Sequence, residues 1–177
     1  ASSGQANPPA AGDYYPAQGI YVPPTLSFDG SQNLWVFFGT GDRNHPVNAS
    51  TNRFYGIKDN TTMTNGSTLT ESSLVNVTTT YQTATQGWYM TLASNEKVLA
   101  AATVFNKVVF FSSFTPVSTV TCDGGGGAAK LYGCGASSGY AGVDWTSGAA
   151  IASGSGSAGT TLTLADSTWS KSIGTGI

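Results

Sequence analysis

The stretch KVLAAATVFNKVVFFSSF, residues 97–114, decides the fold class of this chain. Two runs of apolar and strand-forming residues, 97–105 and 108–114, flank the pair Asn106-Lys107. A two-residue hairpin turn requires positive φ, which Asn tolerates better than most residues. The pattern therefore predicts an antiparallel β-hairpin that turns at Asn106-Lys107.

Similar runs of aromatic and β-branched residues lie on both sides of this hairpin, separated by Gly, Pro, Asn and Ser. They are IYVPPTLSF at 20–28, LWVFFGTG at 34–41, RFYGIK at 53–58, LVNVTTTYQ at 74–82, QGWYMTL at 86–92, AKLYG at 129–133, AIAS at 150–153 and TLTLA at 161–165. The dipeptide Asp29-Gly30 predicts a hairpin between the first two runs. The continuous run LWVFFGTG predicts a strand buried on both faces, and the alternation in LVNVTTTYQ predicts a half-exposed strand.

The remaining segments are predicted to be irregular. Residues 1–19 are rich in Ala, Gly and Pro and predict an arm that precedes a β domain over 20–177. The polar residues 59–73 predict a long loop, with room for one helical turn near Leu69, Ser73 and Leu74. Short strands at this spacing are typical of a sandwich or of propeller blades, and the spacing does not choose between them.

Composition supports an all-β chain of antiparallel sheets with little or no helix. Only 9% of the 177 residues are charged, and 23 are Gly, which is poor in helix formers and rich in turn formers. The 7 Lys and Arg form no cluster and the net charge is −2, which excludes a basic surface for nucleic acid. No apolar run is long enough to span a bilayer, and the first residues show no signal-peptide pattern.

The two cysteines, Cys122 and Cys134, flank the glycine-rich segment CDGGGGAAKLYGC. In a secreted chain such a pair predicts a local disulfide that stabilises the fold by about 3 kcal/mol. Free thiols are the alternative. A metal site is disfavoured, since zinc takes about four ligands and His45 is the chain's only histidine.

The candidate catalytic groups are weak, and we predict no enzyme, no cofactor and no metal. Asp42 and His45 could start a hydrolase site, but with Arg43 they fit a polar turn at a strand end. The carboxylates, which a glycosidase would need in pairs, lie beside turn residues. The run GGGG at 124–127 lacks the lysine and hydroxyl of a phosphate loop, because Lys130 is followed by a strand pattern.

Two surface features remain as alternatives. Four tripeptides fit the N-glycosylation acceptor pattern, beginning at Asn48, Asn60, Asn65 and Asn76. Exposed aromatic residues could stack on sugar rings in a carbohydrate-binding module, although tryptophans are more often core residues. The candidate sugar-stacking residues are Tyr14, Tyr15, Trp88, Trp145 and Trp169.

One ordered set of segments resembles a known family. WVFFGTGDRNHP, NRFYGIKDN, GWYMTL, EKVLAAATVFNKVVFFSSFTP and KLYG occur in this order. Together they resemble the carboxy-terminal β-propeller of PilY-type proteins, the tip-associated biogenesis factors and adhesins of bacterial type IV pili. The resemblance covers roughly residues 20–177 and implies two to three propeller blades on the outside of a bacterial cell. The family's calcium loop does not occur here, and the nearest oxygen-rich stretch, 29–33, is poor in carboxylates.

The resemblance implies an extracellular structural or adhesive module that acts through β-strand pairing and protein–protein contacts. Expected partners are other pilus or filament subunits, further copies of the chain, the rest of a PilY-like protein, or a ligand on a host surface. The final residues KSIGTGI look like the entry to a further strand. The arm at 1–19 and the strand at 173–177 could each complete a neighbour's sheet and build a filament.

Overall fold

In a computed structural model of the chain, the described residues are 18–47, 49–59, 69–78, 84–117, 127–139 and the backbone of 160–164. They contain strands and a short 3₁₀ turn at Glu71–Ser73, and no α-helix. The all-β prediction is therefore confirmed. The strands are β1 (Thr25–Phe28), β2 (Leu34–Gly39), β3 (Arg53–Lys58), β4 (Val75–Asn76), β5 (Gly87–Thr91), β6 (Thr103–Phe105), β7 (Val108–Pro116), β8 (Gly127–Gly135) and β9 (Thr160–Leu164).

Sheet A has the strand order β1-β2-β3-β5-β4, antiparallel except for the short β4, which pairs with β5 in parallel. The predicted hairpin at Asp29-Gly30 joins β1 to β2. The Asp29 carboxylate holds its turn, because Oδ1 accepts hydrogen bonds from the backbone N–H groups of Ser31 and Asn33 at 2.8 and 2.9 Å. Positive φ falls on Gln32, so the loop spans five residues rather than a two-residue turn.

Sheet B is a fully antiparallel meander of β6-β7-β8-β9. Asn106 and Lys107 have φ of 46° and 65°, the signature of the two-residue turn that the sequence predicted. The first arm of this hairpin is shorter than predicted. Lys97 pairs with Phe114, whereas the N–H of Val98 donates at 3.1 Å to the carbonyl of Thr40, which directly follows β2.

The two sheets pack face to face on an aromatic core. Phe54 of β3 stacks on Phe111 of β7 with ring centroids 3.7 Å apart, and Phe111 stacks on Tyr132 at 4.5 Å. Gly56 leaves space for the buried Trp88, since a Cβ at Gly56 would lie 2.5 Å from the indole. Each sheet contains four adjacent antiparallel strands, β1-β2-β3-β5 in sheet A and β6-β7-β8-β9 in sheet B.

One prediction about β2 is wrong for the described residues. LWVFFGTG was expected to be buried on both faces, but burial alternates along β2. Trp35 and Phe37 face sheet B, whereas Val36 and Phe38 on the opposite face are partly exposed. The cause is that, among the described residues, sheet B covers only one side of sheet A.

The other predicted strands have mixed outcomes. RFYGIK, QGWYMTL, AKLYG and TLTLA lie in β3, β5, β8 and β9. Of LVNVTTTYQ only residues 74–78 are described, and they contain β4; the predicted helical turn is the 3₁₀ turn. AIAS, residues 1–17 and residues 171–177 lie outside the described residues, and the division at residue 19 stays a prediction. In the part of the chain that the structure describes, no helix has the length and apolar character to cross a membrane.

Candidate functional site

The most conspicuous surface is the side of sheet A that faces away from the core. Residues opposed in an antiparallel register point to the same side of a sheet. The register places on this side an apolar set in which every member is partly or fully exposed. These residues, called here the outer face, are Leu26, Phe28, Leu34, Val36, Phe38, Tyr55, Ile57 and Tyr89.

An aromatic row crosses three strands of the outer face. The ring centroids of Phe38 and Tyr55 are 5.1 Å apart, and those of Tyr55 and Tyr89 are 6.0 Å apart. The guanidinium of Arg53 lies 5.7 Å from the Tyr89 centroid, within cation–π range. The three rings therefore form one continuous aromatic row on the outer face.

Tyr55 is fixed at its polar end by Glu71. Its hydroxyl donates to Glu71 Oε2 at 2.7 Å, and Arg53 Nε lies 3.4 Å from the same oxygen. Burial, followed by the hydrogen bond to Glu71, raises the pKa of Tyr55 to about 12. The phenol therefore stays neutral at physiological pH and keeps donating to the carboxylate.

The outer face continues to the exposed edge of sheet A at β1. Leu26 is 60% exposed and Phe28 is 71% exposed. The edge strand of sheet B, β6, lies next to β1, since the Thr25 hydroxyl donates to the carbonyl of Ala102 at 2.7 Å. Phe105 on β6 is 73% exposed. Exposed apolar side chains therefore lie on both β1 and β6, and large exposed apolar patches are often interaction sites in proteins.

A groove opens where the β1–β2 loop meets the β6–β7 turn. Its cavity volume is about 160 Å³, and its walls include Phe28, Asp29, Trp35, Asn106 and Lys107. Burial on its own would raise the pKa of Asp29. Hydrogen bonds from the side chains of Trp35 and Asn33, and from the backbone of Asn33 and Ser31, outweigh burial and hold this pKa well below its usual range.

A second polar cluster, which the sequence did not reveal, joins the two sheets at Glu96. This side chain is completely buried. Oε1 accepts from the hydroxyls of Ser113 and Tyr132, the latter at 2.8 Å. Oε2 accepts from Lys130 Nζ at 3.1 Å and from the backbone N–H of Ala93 at 3.0 Å. In the sequence, Lys130 was noticed only as a lysine within a strand pattern. Nothing there indicated that it would pair with Glu96.

Lys130 is part of a half-buried ion pair, since its own side chain is 28% exposed. Its ammonium pairs with the completely buried Glu96 carboxylate at 3.1 Å. Among the described residues, no group of three or more His, Cys, Asp or Glu side chains is placed to hold a metal ion. The glycines at 124–126 lie outside the described residues.

The Asp42 loop has the geometry of a capped turn. Asp42 Oδ1 accepts from the backbone N–H groups of Asn44 and His45 at 2.8 and 3.1 Å, and from the Tyr21 hydroxyl at 3.2 Å. The His45 ring lies 3.2 Å from Oδ2, and its side chain is 59% exposed. Asp42 thus orders the loop, as the polar-turn interpretation expected. The neighbouring Arg43 is exposed.

Several residues singled out by the sequence have other positions. Trp88 is completely buried, so its assignment as an exposed sugar-stacking residue is wrong: the indole fills the core, and its N–H donates to the carbonyl of Ala136 at 3.0 Å. Asn76 is exposed on β4. The remaining aromatic candidates, Tyr14, Tyr15, Trp145 and Trp169, and the acceptors Asn48, Asn60 and Asn65 lie outside the described residues.

The structure describes only one of the two cysteines that were predicted to form a disulfide. Cys134 lies on β8 with no exposure to solvent, and burial raises the pKa of its thiol to about 12. Cys122 lies outside the described residues. The disulfide between the two therefore stays a prediction.

Comparison with known proteins identifies no relative. No protein-family model matches the chain, no curated protein matches it, and no solved structure matches its fold. The functional argument therefore rests on the sequence pattern and on the surfaces described above.

Proposed function

We propose that this chain is an extracellular structural and adhesive module of a PilY-like, type IV pilus-associated protein. In this proposal it acts through β-sheet contacts with other protein chains rather than through catalysis. The ordered segments between WVFFGTGDRNHP and KLYG support the family assignment. The observation that carries the mode of action is the outer face of sheet A.

The outer face suits a second β-sheet because of its shape and composition. Flat sheet faces pack about 10 Å apart through interdigitating apolar side chains, as sheets A and B themselves do at Phe54 and Phe111. Its cross-strand pairs, such as Val36 with Ile57, are apolar on both strands. An incoming sheet that packs on such pairs covers apolar side chains, whereas the charged Arg53 and Glu71 lie beside Tyr55 and Tyr89.

The occupant that we propose for the outer face is a second copy of this chain. A net charge of −2 over 177 residues opposes self-association only weakly. The same patch on both copies would form a two-fold, self-complementary contact. Strand pairing at the sheet edges could extend such pairs into a filament.

The test uses the double variant Val36→Thr/Ile57→Thr. Threonine keeps the β-branched shape and the strand preference but puts a hydroxyl in place of a methyl group of valine or of the ethyl group of isoleucine. The matched control is Val47→Thr/Val117→Thr, which changes two exposed valines outside the outer face. Size-exclusion chromatography with light scattering over a concentration series measures the association state.

We expect the wild-type chain and the control to associate as concentration rises, and the outer-face variant to stay monomeric. A wild-type chain that remains a monomer at the highest concentration would refute self-association through this face. Association that the outer-face variant leaves unchanged would place the contact elsewhere.

A further inference from the structure

The edge of β1 presents backbone groups that point away from sheet A. In an antiparallel pair, hydrogen-bonded and non-hydrogen-bonded residue pairs alternate. The Asp29 N–H donates to the Asn33 carbonyl at 2.9 Å, so Asp29 and Asn33 form a hydrogen-bonded pair. The alternation therefore turns the N–H and C=O groups of Leu26 and Phe28 outward. Within the described residues, these outward groups have no backbone partner, and the Phe28 carbonyl accepts from the Ser27 hydroxyl at 3.5 Å.

The side chains of the same two residues are largely exposed, at 60% for Leu26 and 71% for Phe28. Pro23 and Pro24 precede β1 and cannot donate to an added strand. An added strand can therefore pair only with Thr25–Phe28 and must continue toward the groove beyond Phe28.

The groove supplies a positive charge at that end of β1. The ammonium of Lys107 lies 4.0 Å from the position that a Cβ on Gly30 would occupy. Across the described part of the chain, this ammonium has no ion pair and no side-chain hydrogen bond. The neighbouring Asp29 carboxylate forms no ion pair with this ammonium among the described residues; its two oxygens accept hydrogen bonds from Asn33, and Trp35 also donates to Oδ2.

Lys107 is also an unfavourable residue for its own turn. Its φ of 65° is the left-handed conformation that Gly adopts most easily. Gly is strongly preferred at this position of a two-residue hairpin, after Asn. Residues that break a local preference of this kind are concentrated at functional sites. Because lysine is not favoured by the backbone conformation at this position, we infer that its positive charge is the useful property of Lys107 here.

We propose that the β1 edge binds an extended peptide segment of another protein chain, with alternating apolar residues and a carboxylate at its amino end that pairs with Lys107. Antiparallel addition is the more stable pairing. Because β1 runs toward the groove, an antiparallel strand begins at the groove, which places its amino end beside Lys107. The inference rests on the proposed function and names the chemistry of a second partner surface.

The experiment is an NMR titration of the full chain with synthetic peptides. The main probe is a capped peptide with aspartate at its amino end followed by alternating threonine and valine. Two matched probes carry asparagine at the amino end, or the aspartate at the carboxyl end instead. The protein variants are Lys107→Gly, Lys107→Gln, Leu26→Pro and the control Lys58→Gln.

We expect the main probe to shift the amide signals of Leu26 and Phe28 and to bind about threefold to fivefold more tightly than either matched probe. Lys107→Gly and Lys107→Gln should remove this preference, whereas Lys58→Gln should keep it. Leu26→Pro removes one outward N–H without removing a bond to β2, and it should weaken binding of every probe.

Two outcomes would overturn the proposal. One is that no probe binds the edge. The other is binding with an aspartate preference that persists in Lys107→Gly, a variant whose turn is expected to be at least as stable as that of the wild type. The outer-face proposal is tested by the association state of the Val36 and Ile57 variants, whereas the β1-edge proposal is tested by peptide binding. Failure of one proposal is therefore distinguishable from failure of the other.

Discussion

Replacing Glu96 tests how the two sheets are held together. Four donors converge on its carboxylate, two on each oxygen. In Glu96→Gln, the amide oxygen can take the place of Oε2 and accept from Lys130 and from the N–H of Ala93. The amide NH₂ then takes the place of Oε1 and donates to Ser113 and Tyr132, since a hydroxyl can accept as well as donate.

The structure therefore predicts very different costs for two substitutions at this position. Glu96→Gln leaves each of the four groups with a hydrogen-bond partner, although the Ser113 and Tyr132 hydroxyls then accept instead of donating, and it loses the charge, for an expected cost of about 1–2 kcal/mol. Glu96→Ala leaves a lysine and two hydroxyls without an acceptor, and breaking a buried pair in this way costs about 3–5 kcal/mol. For a chain of this length each kcal/mol lowers Tm by about 2–4 °C.

The pH dependence of stability provides an independent check. Burial raises the pKa of Glu96, but hydrogen bonds from Ser113, Tyr132 and Lys130 lower it more, so the net pKa is below its usual range. A depressed carboxyl pKa stabilises the fold above the pKa of the unfolded state, and this stability is lost as pH falls through the folded-state value. The stability difference between wild type and Glu96→Gln should therefore shrink on acidification.

Urea denaturation of the wild type and of both variants, repeated from neutral to acidic pH, measures these differences. Equal losses in Glu96→Gln and Glu96→Ala would refute the hydrogen-bond assignment, and a pH-independent difference between wild type and Glu96→Gln would refute the role of the charge. The control Lys58→Gln should show neither effect.

Two further predictions concern the core and the cysteines. Gly56→Ala should destabilise the chain by about 1–3 kcal/mol, because its new methyl meets the Trp88 indole at 2.5 Å; thermal unfolding measures the loss, and an unchanged Tm would show that the indole can shift. Peptide mapping under non-reducing conditions should recover Cys122 linked to Cys134, and alkylation of both thiols in the unfolded, unreduced chain would contradict the disulfide.

The local structure was predictable where a short segment carries its own signal. The Asn106-Lys107 turn and strand β3 occur where the sequence placed them, since turn chemistry and β preference act over a few residues. The apolar run at β2 was also informative, although its interpretation was wrong. It indicated two apolar faces correctly, but only one of them is covered in the described residues.

The candidate sites could not be predicted, because they are made by residues far apart in the chain. Glu96 meets Lys130 and Tyr132 only because the segment that carries Glu96 crosses from sheet A to sheet B. Trp88 was a candidate for an exposed sugar-stacking residue in the sequence, but in the structure its indole is buried against Gly56. Sequence alone thus determined the β class, the hairpin turns and the apolar pattern of the strands, which depend on local backbone preference and side-chain alternation. Which apolar face is covered, which edge is open and which charges meet depend on strand order and sheet packing, and only the tertiary structure decided them.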